Sequence, residues 1–229
     1  MFSNIKHIFF DLDDTLWDFE KNSSQVLTAL FSEFDLGTKL KTDFETFHYT
    51  YKEVNNSLWR SFNKKEIDKP FLRNNRFDIV FKKFLYHNYE ENLKVTELYL
   101  ERSPYGTHLK KDCIEVLDYL QPNYSLHLIT NGFKEVQHIK IENCGLKPYF
   151  SQILISEEHQ LLKPDEKIFR LAETLANCSR EECLMIGDNF ESDVEGALNA
   201  GWKSIFLTQE KSNHKVYTID HLLALKQIL

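Results

Sequence analysis

The stretch Ile8-Phe9-Phe10-Asp11-Leu12-Asp13-Asp14-Thr15 places three consecutive apolar residues directly before a group of carboxylates. A short apolar run that stops at polar residues is typical of a buried β-strand. In an open α/β sheet, ligands bind outside the carboxyl ends of the strands. The stretch therefore predicts a first strand that carries Asp11 and Asp13 to the binding edge of a sheet.

The second half of the chain alternates between strand and helix patterns. Short apolar runs predict strands at 125–130, 153–155, 183–186 and 204–207. Helical spacing of apolar residues predicts helices around 114–120, 136–144, 165–176 and 191–200, and a last helix at roughly 219–228. Such alternation favours a parallel sheet with right-handed crossovers. We therefore predict an α/β, doubly wound, Rossmann-like core that comprises residues 1–16 and 103–229.

Residues 17–102 separate the first strand from the rest of this core, and their pattern is helical. Apolar residues fall at helical spacing in three successive groups, around 26–34, 44–58 and 77–85. We predict an inserted helical cap domain over 17–102. Aromatic residues make up 14% of the chain, and much of this content lies in the insertion. We interpret these rings as the insertion's own core; the alternative is that a few stack on a substrate ring.

Composition and charge exclude several classes of protein. The formal net charge of −7 disfavours binding to nucleic acid polymers, since that affinity requires Lys and Arg to neutralise phosphates. A small anionic substrate is still compatible, because a local cation can draw an anion into a cleft. The four cysteines form no C-x-x-C pair, so no zinc site is indicated and free thiols in a reducing compartment are expected.

The sequence gives no indication of a membrane or of an oligomeric state. The apolar run before Asp11 is too short for the core of a signal peptide. No segment approaches the roughly 20 apolar residues of a membrane-spanning helix. We therefore expect a cytoplasmic protein.

Further polar residues end or follow the later predicted strands. In chain order they are Thr130, Asn131, Gly132, Lys163, Gly187, Asp188 and Asp193. Taken singly, each has an ordinary structural interpretation, such as a turn pair or a helix cap. Because they occur in order, and each at or after a strand end, we predict that they form one site with Asp11 and Asp13.

This set of side chains fits the transfer of a phosphoryl group. Clustered carboxylates repel one another unless a cation lies among them, and ligands made only of oxygen suit Mg²⁺. Lys163, Thr130 and the amide of Asn131 would bind the phosphate oxygens. Asp11 would attack phosphorus and form an aspartyl-phosphate. Asp13 would protonate the leaving oxygen and then deprotonate the hydrolytic water.

Together the motifs resemble those of the haloacid dehalogenase-like (HAD) superfamily over the whole predicted core. They read Asp11-Leu-Asp13-Asp14-Thr15-Leu16, Thr130-Asn131-Gly132, Lys163-Pro164-Asp165-x-x-Ile168-Phe169 and Gly187-Asp188-x-x-x-x-Asp193. The resemblance implies that Asp11 is the nucleophile and Asp13 the acid/base. It implies further that Thr130 and Lys163 bind phosphate.

The same resemblance implies a magnesium ion bound by Asp11, Asp188 and the backbone carbonyl of Asp13, with Asp193 holding a metal-bound water. The insertion resembles the helical cap of the subfamily that includes phosphoglycolate phosphatase and β-phosphoglucomutase. The Thr-Asn-Gly motif, together with Lys-Pro-x-x-x-Ile-Phe, is most similar to the pyrimidine 5′-nucleotidase branch. A 5′-nucleotidase that acts on nucleoside 5′-monophosphates is therefore the expected activity.

Two pairs of residues in or beside the insertion are candidates for the substrate cleft. Arg73 and Arg76 are three residues apart and share a helix face, so one of them is a candidate substrate contact; the alternative is a solvated helix surface. Trp17 and Phe19 adjoin the insertion, and we favour packing over a role in the cleft.

Four alternatives remain open at the level of sequence. A phosphomutase, or a sugar or glycolate phosphatase, would use the same four motifs. A dehalogenase would not need a carboxylate at position 13, so Asp13 argues against it. A phosphonate hydrolase would need a lysine in the cap that forms a Schiff base, and nothing marks Lys21 for that role. A non-catalytic phosphate-binding regulator would not need the full set of acids and the lysine.

Overall fold

The computed structural model describes residues 2–209 and 215–229, and the chain divides into two compact units. One unit comprises Met1–Phe19 and Thr107–Leu229, and the other comprises Glu20–Gly106. The sequence predicted the insertion at 17–102, so the observed bounds lie three residues later at its start and four residues later at its end.

The first unit is built on a six-stranded parallel sheet with the strand order β3-β2-β1-β4-β5-β6. The strands are β1 (His7–Phe10), β2 (Ser125–Thr130), β3 (Gln152–Ile155), β4 (Cys183–Gly187), β5 (Lys203–Leu207) and β6 (Tyr217–Ile219). The order reverses beside β1, which is the topological switch point of a doubly wound sheet. The predicted α/β class is confirmed.

The central position of β1 follows from its apolar sequence. Ile8, Phe9 and Phe10 are completely buried, because parallel sheets are covered on both faces. Ile8 and Phe10 join the core on one face of the sheet, and Phe9 joins the core on the other. Asp11 continues the ladder, since its N–H donates to the carbonyl of Ile186 at 3.0 Å. The first carboxylate is thus held at the end of the central strand.

Helices connect these strands in the first unit. They are α6 (Cys113–Leu120), α7 (Lys134–Asn143), α8 (Ser156–His159), α9 (Glu166–Ala176) and α10 (Gly196–Asn199). A π-helical segment, Phe190–Glu195, precedes α10. Short 3₁₀ helices lie at Ser103–Tyr105, Lys147–Tyr149, Arg180–Glu182 and Leu222–Gln227, the first of these in the second unit. Gly145, with φ +63°, follows α7 in the left-handed conformation that often ends a helix.

The last predicted helix, at roughly 219–228, is wrong at its start and in its type. Ile219 ends β6, where it pairs with Leu207, and a 3₁₀ helix at Leu222–Gln227 follows. Leu222 and Leu225 are buried and three residues apart, a spacing that suits both kinds of helix. A strand of three residues with a single buried side chain offers too little alternation to be recognised in the sequence.

The second unit is helical. It contains most of α1 (Phe19–Glu33), followed by α2 (Leu36–Leu40), α3 (Phe44–Asn63), α4 (Lys69–Lys83) and α5 (Tyr89–Arg102). The carboxylates of Asp43 and Asp68 cap α3 and α4 by accepting from backbone N–H groups at 2.8 Å. Many of its aromatic rings pack together, as at Phe77, whose ring centroid lies 5.7 Å from that of Tyr51 and 5.3 Å from that of Tyr99. These rings form core, as interpreted from the sequence.

Among the described residues, no helix is both long enough and apolar enough to cross a membrane.

His127 is an unusual residue for the interior of β2. Its side chain is buried against the ring of Phe9, with centroids 4.4 Å apart, and its Nε2 lies 3.1 Å from Nδ1 of His7. Within the described residues, its Nδ1 has no hydrogen-bond partner. Burial, with a smaller contribution from His7, lowers the pKa of His127 to about 4.

We expect His127 to make the fold sensitive to acid. The unfolded chain takes up a proton below the ordinary histidine pKa of about 6.5, while the folded chain resists until pH about 4. The stability that neutral His127 contributes is therefore present above pH 6.5 and is lost as the pH falls towards 4. Between these values the wild type should lose roughly 2 to 3 kcal/mol relative to His127→Phe.

Denaturant unfolding at a series of pH values measures this difference. His159→Phe, at an exposed histidine of the same unit, is the control and should follow the wild type. Parallel pH profiles for the wild type and His127→Phe would contradict the prediction.

Candidate active site at the carboxyl edge of the sheet

The centre of the candidate site is the buried ammonium group of Lys163. Its Nζ donates to Asp11 Oδ1 at 2.6 Å, to Asp193 Oδ1 at 2.7 Å and to the carbonyl oxygen of Ile129 at 2.7 Å. An ammonium group has three N–H donors, so all of them are used. The side chain is 1% exposed, and it joins the ends of β1 and β2 to the segment that carries Asp193.

Asn131 holds the backbone from which Lys163 projects. Its Nδ2 donates to the carbonyl of Lys163 at 2.8 Å, and its Oδ1 accepts from the N–H of Lys163 at 2.9 Å and from Ser156 Oγ at 2.8 Å. The side chain therefore clamps the lysine loop. The sequence analysis did not identify this role, because residues 32 apart give no local pattern. Binding of phosphate by the backbone amide of Asn131 stays a prediction.

Thr15 fixes Asp188 at the end of β4. The threonine hydroxyl donates to Asp188 Oδ1 at 3.0 Å and accepts from the N–H of Asp188 at 3.1 Å. Because Thr15 is fully buried, these two bonds lock the first turn after β4 onto the loop after β1. Thr15 thus has a structural function that its position in the motif alone did not reveal.

Asp193 is buried at the π-helical segment and packs against Gly187. Its Oδ1 accepts from Lys163 and from Ser192 Oγ at 3.2 Å, and its Oδ2 accepts from the N–H of Asn189 at 3.0 Å. A Cβ atom on Gly187 would lie 2.2 Å from Asp193 Oδ2. Only glycine permits this close approach, which explains the glycine before Asp188 in the motif.

Asp13 lies apart from this acidic group, and its carboxylate is held from α7. Its Oδ1 accepts from Lys140 Nζ at 2.5 Å, and its Oδ2 accepts from Gln137 Nε2 at 2.8 Å. The same Nε2 donates to Thr130 Oγ1 at 2.6 Å. The sequence analysis missed Gln137 and Lys140, although their spacing of three residues on the helix after the second motif places them on one face.

Three carboxylates come close enough together to share a cation. Ligand oxygens of Asp11, Asp188 and Asp193 all lie within 4.8 Å of one another. With the one ammonium group of Lys163, this cluster carries a net charge of −2 when all four groups are ionised. A divalent cation would balance that charge, and a donor set made only of oxygen suits Mg²⁺. The side chain of Asp13 is not in the cluster, and binding of a metal by its backbone carbonyl, which the resemblance implies, stays a prediction.

Burial and mutual repulsion shape the protonation of this cluster. Burial, together with the charges of Asp193 and Asp13, raises the pKa of Asp11 to about 7, although Lys163 opposes the shift. Burial and the charges of Asp11 and Asp193 also raise the pKa of Asp188 well above its usual range. The pKa of Lys163 is raised, because its two carboxylate partners outweigh the effect of burial. The acids outnumber the cation, and a bound metal ion would compensate this excess of negative charge.

In the helical unit, Arg76 lies among aromatic rings. Its side chain is 5% exposed, and its guanidinium carbon lies 5.4 Å from the ring centroid of Tyr99 and 6.0 Å from that of Tyr51. Arg73 is half-buried. Contact of either arginine with substrate stays a prediction. In the other unit, Trp17 is 1% exposed and stacks on Lys140, which agrees with the packing interpretation.

Comparison with known proteins places this geometry in a family context. Residues 5–201 match the family model described as haloacid dehalogenase-like hydrolase. The chain is 31% identical to the pyrimidine 5′-nucleotidase PynA of Streptococcus pneumoniae, over 95% of this chain and 93% of that one. It is also 31% identical to the pyrimidine 5′-nucleotidase YjjG of Escherichia coli, over 97% and 96% of the two chains.

A solved structure supports the same relationship. The magnesium-bound crystal structure of the HAD-hydrolase YfnB from Bacillus subtilis matches with a TM-score of 0.87 at 26% identity, over 98% of each chain. The match spans almost the whole of both chains.

Loss of the Lys163 ammonium group should destabilise the metal-free protein. Lys163→Met leaves Asp11 and Asp193 buried without their shared cation, and breaking a buried ion pair on one side costs about 3 kcal/mol. The double variant Lys163→Met/Asp193→Asn should recover part of this loss, because it removes one of the stranded charges. Denaturant unfolding in EDTA measures both effects.

The exposed Lys167→Met is the matched control and should stay within about 0.5 kcal/mol of the wild type. If Lys163→Met were as stable as this control, the buried ammonium group would not hold the cluster together.

Proposed function

This chain belongs to the haloacid dehalogenase-like hydrolases, and from that premise we propose that it is a magnesium-dependent phosphatase of nucleoside 5′-monophosphates. The observation that carries the proposal is the pair of carboxylates at the end of β1. Asp11 is buried against Lys163, and Asp13, two residues on, is held separately by α7. Two carboxylates in different surroundings fit two different chemical roles.

Asp11 is proposed as the nucleophile. Its Oδ1 is anchored by Lys163, and its backbone N–H is fixed by β4, so its second oxygen is presented in a defined direction. Attack of that oxygen on phosphorus forms an aspartyl-phosphate and expels the ester oxygen. Positioning of this kind supplies much of the catalysis in phosphoryl transfer.

Thr130 is proposed to donate to a phosphate oxygen, and Lys163, whose three donors are engaged by Asp11, Asp193 and Ile129, is proposed to bind phosphate through its positive charge. Thr130 Oγ1 accepts from Gln137 Nε2 and, at 3.2 Å, from the N–H of Gly132. A hydroxyl group that accepts two hydrogen bonds still has its own proton to donate. The hydroxyl of Thr130 is thus oriented as a donor, and the backbone amide of Asn131 is the proposed donor beside it.

Asp13 is proposed as the general acid and base. It would give a proton to the leaving oxygen in the first step and take one from water in the second. A dehalogenase releases a halide ion, which needs no proton, so a carboxylate held at this position supports a phosphatase. The same carboxylate is consistent with a phosphomutase. An assay distinguishes the two activities by whether the phosphoryl group is transferred to water or to another substrate molecule.

The metal site of the proposal consists of Asp11, Asp188 and the backbone carbonyl of Asp13. When bound there, Mg²⁺ would supply positive charge to offset the dianionic phosphate. Asp193 keeps Lys163 in place and lies in the same acidic cluster, and we assign to it the holding of a metal-bound water.

The substrate class rests on the relatives. PynA and YjjG are both named pyrimidine 5′-nucleotidases, and we extend that specificity to this chain as a proposal. Selection among phosphate esters is assigned to the helical unit, with Arg73 and Arg76 as the candidate contacts. Their substitution should change the preference among nucleotides more than the turnover of p-nitrophenyl phosphate.

Asp11→Asn should abolish phosphate release. The purified protein with Mg²⁺ would be tested on p-nitrophenyl phosphate, pyrimidine and purine nucleoside 5′-monophosphates, and sugar phosphates. Pyrimidine 5′-monophosphates should give the highest kcat/KM, and Asp11→Asn should lower it at least about a thousandfold, because the nucleophile is lost.

Asp118→Asn, at an exposed carboxylate of the same unit, is the control and should retain activity. Equal release by the wild type and Asp11→Asn would refute the proposed nucleophile. A clear preference for sugar phosphates would instead overturn the nucleotide assignment.

Mg²⁺ should stabilise the fold through the acidic cluster. A ligand at a hundredfold excess over its Kd adds about 2.7 kcal/mol to the free energy of unfolding, which raises Tm by roughly 5 to 10 °C in a protein of this size. Asp188→Asn should remove most of this rise, while Asp118→Asn should keep it. Differential scanning calorimetry in EDTA and in Mg²⁺ measures the shift, and an unchanged shift in Asp188→Asn would exclude Asp188 as a ligand.

A further inference from the structure

Each oxygen of the Asp13 carboxylate accepts a hydrogen bond from a donor on one helix, α7. Lys140 Nζ donates to Oδ1 at 2.5 Å, and Gln137 Nε2 donates to Oδ2 at 2.8 Å. Both donors lie on α7, one helical turn apart. Two bonds to the two oxygens fix the rotation of the carboxylate plane as well as its place.

Lys140 is itself held in place. Its side chain is 6% exposed, and its ammonium nitrogen lies 4.0 Å from the ring centroid of Trp17. Trp17 is 1% exposed, and its backbone bonds to that of Leu12 and Asp14. The ammonium group is thus confined between an aromatic face and one carboxylate, where cation–π attraction adds to the ion pair.

Gln137 links Asp13 to the proposed phosphate-binding threonine. Its Nε2 has two hydrogens, which are directed to Asp13 Oδ2 at 2.8 Å and Thr130 Oγ1 at 2.6 Å. The side chain is fully buried, and its own Oε1 has no hydrogen-bond partner within the described residues. The amide therefore keeps this orientation although its carbonyl oxygen is buried without a hydrogen bond, which costs free energy. Gly132 makes room for it, since a Cβ there would lie 2.1 Å from Nε2.

We propose that Lys140 and Gln137 are positioning residues, which set the Asp13 carboxylate in register with Thr130 for both proton transfers of the reaction. This inference rests on the proposed phosphatase activity. Neither residue touches the reacting atoms in this scheme; each acts through Asp13 or Thr130.

The two steps use Asp13 in opposite directions. In the first, an Asp11 oxygen bonds to phosphorus, the bond from phosphorus to the ester oxygen breaks, and that oxygen takes the proton of Asp13. In the second, a water oxygen bonds to phosphorus, Asp13 takes a proton from that water, and the bond from phosphorus to Asp11 breaks with its electron pair on Asp11. Phosphate leaves and both aspartates are restored. A misplaced Asp13 therefore slows the second step for every ester.

The first step depends on Asp13 only when the leaving group is a poor one. An alkoxide, as from a nucleoside 5′-monophosphate, must be protonated as it leaves, whereas p-nitrophenolate leaves without a proton. Comparing the first-turnover rates of the two esters therefore distinguishes a misplaced Asp13 from a general loss of structure. A folding defect lowers the number of active sites equally for both esters.

The test compares Lys140→Met and Gln137→Leu with the wild type in rapid-mixing experiments. With p-nitrophenyl phosphate, both variants should release a burst of about one p-nitrophenolate per site. For Lys140→Met the burst rate should lie within about threefold of the wild type, whereas Gln137→Leu, which also loses the bond to Thr130, should give a slower burst. Their steady-state rate should then fall about 10- to 100-fold, the loss expected for a misplaced catalytic group. With uridine 5′-monophosphate, the single-turnover rate should fall by a similar factor.

Burst amplitude counts the active sites, so the rates are corrected for any unfolded fraction. Lys134→Met, at an exposed lysine on the same helix, is the control and should behave like the wild type. For Lys140→Met, equal losses for the two esters in the first turnover, or no loss for either, would overturn the positioning role. A wild type that releases no phosphate from any ester would instead overturn the proposed function, and this inference with it.

Discussion

The buried ammonium group of Lys163 is the interaction on which the rest of the site depends. It donates to Asp11, to Asp193 and to the end of β2, and without it two buried carboxylates would face each other uncompensated. Burying a charge is tolerated only when it is paired and hydrogen-bonded. The lysine meets this condition with all three of its donors, and in doing so it fixes the relative positions of the segments that carry the acids.

Around this ammonium group, the side chains of further polar residues hold the groups that are proposed for catalysis. Asn131 clamps the loop of Lys163, Thr15 ties Asp188 to the first motif, and Gln137 joins Asp13 to Thr130. Apart from the bond between Gln137 and Thr130, these bonds connect segments far apart in the chain. The arrangement limits the freedom of the acids before any substrate binds, which is the structural basis of preorganisation.

The two aspartates of the opening motif differ because their surroundings differ. Asp11 is buried beside other acids, and burial together with their charges raises its pKa to about 7 despite its ion pair with Lys163. Asp13 is held by a lysine and an amide of α7 instead. Side chains alternate along an extended segment, so residues two apart lie on the same side. The contacts of Asp13 with α7 nevertheless give it different surroundings from those of Asp11.

The sequence by itself determined the class of the sheet, the order of the motifs and the acids and lysine of the site, because strand-end placement follows from local apolar runs. It did not reveal β6, whose three residues have too little periodicity, and it did not reveal the tasks of Asn131, Thr15, Gln137 and Lys140. Those tasks depend on hydrogen bonds between residues from 7 to 173 apart. Only the folded backbone brings such partners together, and so tertiary structure decided how the chemistry-bearing groups are held.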